Sequence, residues 1–167
     1  AKPDSHDWLI QLMEGVEDIP GAALAEGIDW NWETFPEYLA ALEELPRVMD
    51  IAAQVPHGSV RAYVMGERGA RNEEPTADDL TAMAQIVQEG IEAGALGFTS
   101  SRTMLHRALD GEPVPGTFAG AEEIIALGQA VAEAGGGVIE VASDIGLGGL
   151  EGNFSTDIEW MRELASR

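Results

Sequence analysis

TADDLTAMAQIVQEGIEAGALGFTSSR, residues 76–102, holds one complete unit of an α/β fold. Thr76-Ala77-Asp78-Asp79 has the form of a capping box, in which an acidic third helical residue reaches back to the free N–H groups of the first turn. Leu80, Met83, Ala84, Val87 and Ile91 then share one helical face, until Gly94 ends the helix. Leu96–Ser100 follows as a short apolar run of the kind that forms a strand buried on both faces. The order returns 41 positions later, where Gly135 stands as Gly94 did. Residues 121–134 place Ile124, Leu127, Gly128 and Val131 on one face, and Val138–Ser143 reads as the next strand. Helix, glycine cap, buried strand and polar loop form the repeating unit of a parallel sheet.

Reading outward, Thr34-Phe35-Pro36-Glu37 opens another helix, with Phe35, Tyr38, Leu39 and Leu42 turned inward. An earlier helix is expected from Ser5 to about Glu14, burying Trp8, Leu9 and Leu12. A strand is expected near Val48–Val55, and Thr156-Asp157-Ile158-Glu159 caps a last helix with Ile158, Met161 and Leu164 on one face. No strict sequence repeat accompanies the unit, so a solenoid is not expected. The chain thus divides into a helical lead-in over residues 1–46 and βα units over residues 47–167. Three parallel strands leave apolar edges without partners, whereas a closed barrel takes eight units and about 250 residues. The expectation is therefore an incomplete part of a barrel, whose edges pair with a second copy or with the rest of the barrel. A small open sheet wrapped by helices is the alternative.

The 167 residues are 45% apolar, enough for one domain with a sizeable core. Thirty acidic residues against nine basic ones give a formal charge of −21, which repels phosphate backbones and anionic headgroups. Neither a nucleic-acid nor a membrane partner is expected. The absence of cysteine removes disulfides, thiolate ligands and a cysteine nucleophile, and a cytoplasmic location is expected. No run approaches the roughly 20 apolar residues of a transmembrane helix. The opening AKPDSHDW has neither the character of a signal peptide nor a natural start. Asn153-Phe154-Ser155 matches a glycosylation sequon and is read as chance.

Chemistry in α/β proteins sits in the loops after the strands. Arg61, Arg68, Arg71, Arg102 and Arg107 all follow the first two expected strands, together with His57 and His106. In so acidic a chain this clustering points to a pocket for a small-molecule carboxylate, because Arg can hold one through two parallel hydrogen bonds. The competing reading pairs Arg68 and Arg71 with Glu67, Glu73 and Glu74 in solvent. His57 follows a strand directly, with Gly58 allowing a sharp turn; it is either a donor or general acid/base, or a structural histidine that holds the turn. His106 lies in Ser101–Gly116, a long ordered loop marked by Asp110-Gly111, Pro113 and Pro115 and suited to a substrate lid. His6 is expected in solvent. With no His-x-His, no HExxH and no Cys, no metal site is expected within the chain. Gly146, Gly148 and Gly149 follow a strand without fitting GxGxxG.

Three stretches resemble the amidohydrolase superfamily, in its D-aminoacylase (N-acyl-D-amino-acid deacylase) branch. They are MEGVEDIPGAALAEG at 13–27 with WNWETFPEYLAAL at 30–42, AQVPHGSVRAYVMG at 53–66, and GALGFTSSR at 94–102 followed by VPGTFAGAEEII at 114–125. The resemblance implies a metal-dependent TIM (β/α)8 barrel that hydrolyses C–N bonds, typically in an N-acyl-D-amino acid. It places this chain between the third and fifth strands. A His-x-His pair and a bridging ligand would lie before it, and a further histidine and an aspartate beyond it. Zinc is then expected in the whole barrel and none in this chain. Two departures stand out: VIEVASD lacks the metal-binding histidine that relatives usually carry on that strand, and Ser101-Arg102-Thr103 stands where relatives often have a tyrosine. No catalytic residue can be named. The residues expected to contact substrate are His57, Arg61, Ser100, Ser101, Arg102 and His106, with Arg102 as the carboxylate anchor. A non-catalytic α/β domain that binds an acidic metabolite or a protein partner is the rival reading.

Overall fold

Thr34 and Thr76 each open a helix through a reciprocal capping box, their hydroxyls accepting from the N–H of Glu37 and Asp79 while those carboxylates accept in return. The computed structural model describes residues 2–144 and 154–166. A short 3-10 turn at Pro3–Ser5 leads into α1 (His6–Glu17), α2 (Gly21–Gly27) and α3 (Phe35–Glu44). Then come β1 (Gln54–Pro56), α4 (His57–Met65), α5 (Glu67–Ala70), α6 (Ala77–Glu92), β2 (Gly97–Arg102), α7 (Ala121–Glu133), β3 (Val138–Ser143) and α8 (Phe154–Ala165). Gly94 and Gly135 end α6 and α7 with φ of +109° and +114°, the left-handed backbone expected of a helix-stopping glycine. No helix among the described residues is long and apolar enough to cross a membrane.

The sheet is parallel, in the order β1-β2-β3. Val55 pairs with Phe98 and Phe98 with Ile139, so three apolar side chains line up across it. Against this row pack Met83 and Val87 of α6 and Leu127 and Val131 of α7, none more than 2% exposed. Fully burying each such side chain contributes about 1.5–3 kcal/mol. A second cluster, Ile124 and Trp160 with Val141 and Leu164, joins α7 and α8 to β3.

Five expectations need correction. The first strand is only Gln54–Pro56, extended by one bond from the Leu96 N–H to the Ala53 carbonyl at 2.8 Å. Val48, Met49 and Ile51 are exposed, because no strand lies beyond β1 among the described residues to pair with them. β3 is not buried on both faces, since Val138 and Glu140 are exposed. α8 starts at Phe154, two residues before the expected cap. His6 is half-buried, its ring stacked on Trp30 at 4.2 Å between centroids, rather than lying in solvent. Trp8, Leu9 and Leu12 are half-buried, and no residue of α1 is fully buried. Asn153 and Gly146, Gly148 and Gly149 lie outside the described residues.

Candidate active site and a buried ion network

Successive side chains of a strand point to opposite faces, and β2 divides the expected site along that line. Phe98 enters the core, Ser100 reaches His57 and Arg102 reaches α8, so these three face the helix layer. Gly97, Thr99 and Ser101 face the other way, beside Val138, Glu140 and Ala142 of β3. The six expected residues therefore do not converge on one pocket.

Under the helices lies a closed network. His57 Nδ1 is 2.8 Å from Ser100 Oγ, and its Nε2 is 2.8 Å from Glu123 Oε1. Arg61 Nη1 donates to both Glu123 oxygens at 2.6 and 2.5 Å, and its Nη2 donates to the Glu73 carbonyl at 2.5 Å. Burial pushes the His57 imidazole below its ordinary range, against the upward pull of Glu123. Burial would raise Glu123, but the hydrogen bond from His57 and the charge of Arg61 outweigh it and hold the carboxyl below its usual value. With Glu123 ionised, neutral His57 donates from Nε2 and accepts the Ser100 hydroxyl at Nδ1. The order serine, histidine, carboxylate is that of a catalytic triad. Here, however, Ser100 is 4% and His57 1% exposed, and no substrate reaches either. The structural reading of His57 fits this geometry. Gly58 supplies no sharp turn: it lies inside α4, and a Cβ there would come within 3.0 Å of the Pro115 carbonyl oxygen. Gly116 is required differently, by its φ of +96° and by the His57 ring, 2.7 Å from where its Cβ would be.

The network makes stability depend on pH in a stated direction. Unfolded, His57 takes up a proton below its ordinary value of about 6.5, while the folded imidazole resists it. The unfolded state then binds more protons, so stability is full above that value and falls as pH falls through it; Glu123 acts in the same direction at lower pH. The urea midpoint should drop between about pH 7.5 and 5.5, and His57→Gln should flatten that drop. An equal drop in the variant would place the effect elsewhere.

The arginines that cluster in sequence do not cluster in space. Arg68 pairs with Asp79 at 2.5 Å and Arg71 with Glu67 at 3.2 Å, while Arg107 donates to the Met104 and Gly111 carbonyls. Arg102 donates to Asp157 through Nε at 3.1 Å and Nη2 at 3.0 Å, reaches the Ala119 carbonyl through Nη1, and lies 5.9 Å over the Trp160 ring. Its guanidinium is engaged against α8 rather than presented to an open pocket. Glu123 and Asp157, which hold Arg61 and Arg102, were missed in the sequence. Glu123 could have been found, because it stands on the same stripe of α7 as Leu127 and Ala130, an acid among buried residues.

What remains at the carboxyl end of the sheet, on the face away from the helices, is Ser101 with His106. Ser101 Oγ lies 2.8 Å from His106 Nδ1, and both residues are half-buried. His106 belongs to an ordered loop closed by the Arg107–Pro113 bridge and by the bond from the Val114 N–H to its own carbonyl at 3.3 Å. Asp144, after β3, accepts from Thr103 Oγ1 and, at 3.1 Å, from the Met104 N–H, which anchors the start of the same loop. Among the described residues no three His, Cys, Asp or Glu side chains come together to hold a metal ion.

A model of the Amidohydrolase family matches residues 1–167. This chain belongs to the amidohydrolase family. A D-aminoacylase from Alcaligenes xylosoxydans xylosoxydans is 32% identical over 94 residues, 55% of this chain and 18% of that protein. Uncharacterized proteins from Mycobacterium tuberculosis and Mycobacterium bovis are each 30% identical over 117 residues, 65% of this chain and 19% of theirs. The chain thus matches about a fifth of the length of these curated relatives. No solved structure matches significantly. The family implies a TIM barrel, of which this amidohydrolase chain shows three adjacent parallel strands with helices on one face. In such a barrel the helices lie outside and active sites form at the carboxyl ends of the strands.

Proposed function

We propose that this chain is part of the barrel wall of a hydrolase that cleaves carbon–nitrogen bonds other than peptide bonds, with N-acyl-D-amino acids as the substrate class. The observation that carries the reading is the family match along the whole chain, and the D-aminoacylase likeness narrows it. Hydrolysis adds water across the amide: the acyl carbon gains the hydroxyl, the C–N bond breaks, and the nitrogen leaves with a proton. Of this chain's residues, the reading assigns the substrate side to Ser101 as a hydrogen-bond donor and His106 as its partner, supported by their 2.8 Å contact on the face of the sheet away from the helices. The described residues do not fit a catalytic zinc, since they offer no converging ligand set, so zinc would depend on residues other than these. The sheet edges, which have no strand partner among the described residues, are the surfaces for the rest of the barrel or a second copy. The absence of a histidine from β3, the strand on which relatives usually carry one, favours a second reading in which an acidic metabolite or a protein partner is bound without hydrolysis.

Turnover separates the two. The whole barrel containing these residues should release free amino acid from N-acetyl-D-amino acids, and the 167-residue chain alone should release none. A whole barrel inert toward the series would support binding without hydrolysis.

A further inference from the structure

Away from the Ser101–His106 pair, a cavity of about 700 Å³ opens between α1, the 28–34 segment, α3 and the β1–α4 edge. That size suits a small organic ligand. Its wall includes Trp8, Trp30, Trp32, Phe35, Tyr38 and Tyr63. The rings form a connected set: Trp30 meets Trp32 at 5.6 Å between centroids, Trp32 meets Tyr38 edge-on at 4.9 Å, and Phe35 lies 5.6 Å from Tyr38. Among the described residues the charged lining groups are Lys2, Asp29 and Glu33, one cation against two carboxylates. The chain's own ammonium already occupies one ring face. Lys2 Nζ sits 4.6 Å over the Tyr63 centroid and donates to the Tyr63 carbonyl at 2.9 Å, while the Tyr63 hydroxyl donates to Glu33 at 2.8 Å.

We propose that this cavity binds an organic ammonium ion with an apolar body, which displaces Lys2 from Tyr63 and sits against the tryptophan faces. The ring faces attract a desolvated cation, the two carboxylates supply the matching charge, and a chain of charge −21 draws cations toward it. Among the described lining residues an anion would meet two carboxylates and a single amine, so the wall selects against it.

Three of the four tryptophans line the cavity, so tryptophan emission reports its occupancy in the full chain. Benzyltrimethylammonium should quench that emission saturably, and phenylacetate should not. Choline should bind about two- to thirtyfold more tightly than its neutral isostere 3,3-dimethylbutan-1-ol, the range expected of a cation–π contribution. Lys2→Met removes the competing ammonium from an exposed position without touching the core, and should tighten benzyltrimethylammonium binding. Trp32→Ala should weaken it. Equal affinity for choline and its isostere, weaker cation binding in Lys2→Met, or no saturable quenching would each overturn the proposal. The last would leave the cavity as space along the unpaired edge of β1.

Discussion

Glu123→Ala is expected to destabilise the protein by about 3–5 kcal/mol, the cost of leaving a buried charge without its partner. The carboxylate accepts two bonds from Arg61 and one from His57, and all three side chains are nearly inaccessible to water. Arg61 already carries one strain of this kind, a buried Nε without a hydrogen-bond partner among the described residues. Removing Glu123 would leave the guanidinium with the Glu73 carbonyl alone. The double variant Arg61→Leu, Glu123→Leu should lose less than the single one, because no bare charge remains. Urea denaturation measures both. A loss below about 1 kcal/mol for Glu123→Ala would mean that water reaches Arg61 and that the network is not closed.

Gly97→Ala is expected to cost about 3 kcal/mol, at the upper end of what added volume does in a packed interior. Gly97 opens the central strand and pairs with Gln54 on one side and Val138 on the other. A Cβ there would lie 1.8 Å from the Val138 carbonyl oxygen, which is backbone and cannot rotate aside. The methyl can be accommodated only by parting β2 from β3. Gly27→Ala is the control, since nothing lies within 4 Å of its Cβ position. It should be neutral or slightly stabilising, because alanine orders a helix end more readily than glycine. A harmless Gly97→Ala would show that the two strands are not joined in this register.

The periodic elements were legible in the sequence because local rules decide them. The capping boxes at Thr34 and Thr76, the glycine stops at Gly94 and Gly135 and the apolar stripes of α6 and α7 each fall where the residues place them. The beginning of β1 was not legible. Val48, Met49 and Ile51 have strand character, but pairing needs a neighbour, which local sequence does not contain. The directions of the candidate site residues were hidden for a related reason. His57, Arg61, Ser100 and Arg102 lie near strand ends in sequence, yet their direction follows from the parity of the strand and from acids more than 50 residues away, at Glu123 and Asp157. A charge cluster in sequence says that charges need partners. Only the fold says whether those partners are a substrate or the protein itself.

Ser100 and Ser101 are adjacent on β2 and face opposite sides of the sheet, so one pair of variants tests the division between scaffold and site. In the whole barrel, Ser100→Ala should lower unfolding free energy by about 1–3 kcal/mol, because His57 loses its partner at Nδ1, with kcat/KM unchanged for the folded fraction. Ser101→Ala should leave the urea midpoint nearly unmoved and lower kcat/KM for an N-acetyl-D-amino acid by about tenfold, the value of one lost hydrogen bond to substrate or to His106. The reverse pattern, with Ser100→Ala impairing turnover in a stable protein and Ser101→Ala leaving it intact, would contradict the assignment and make the buried His57 network the working site.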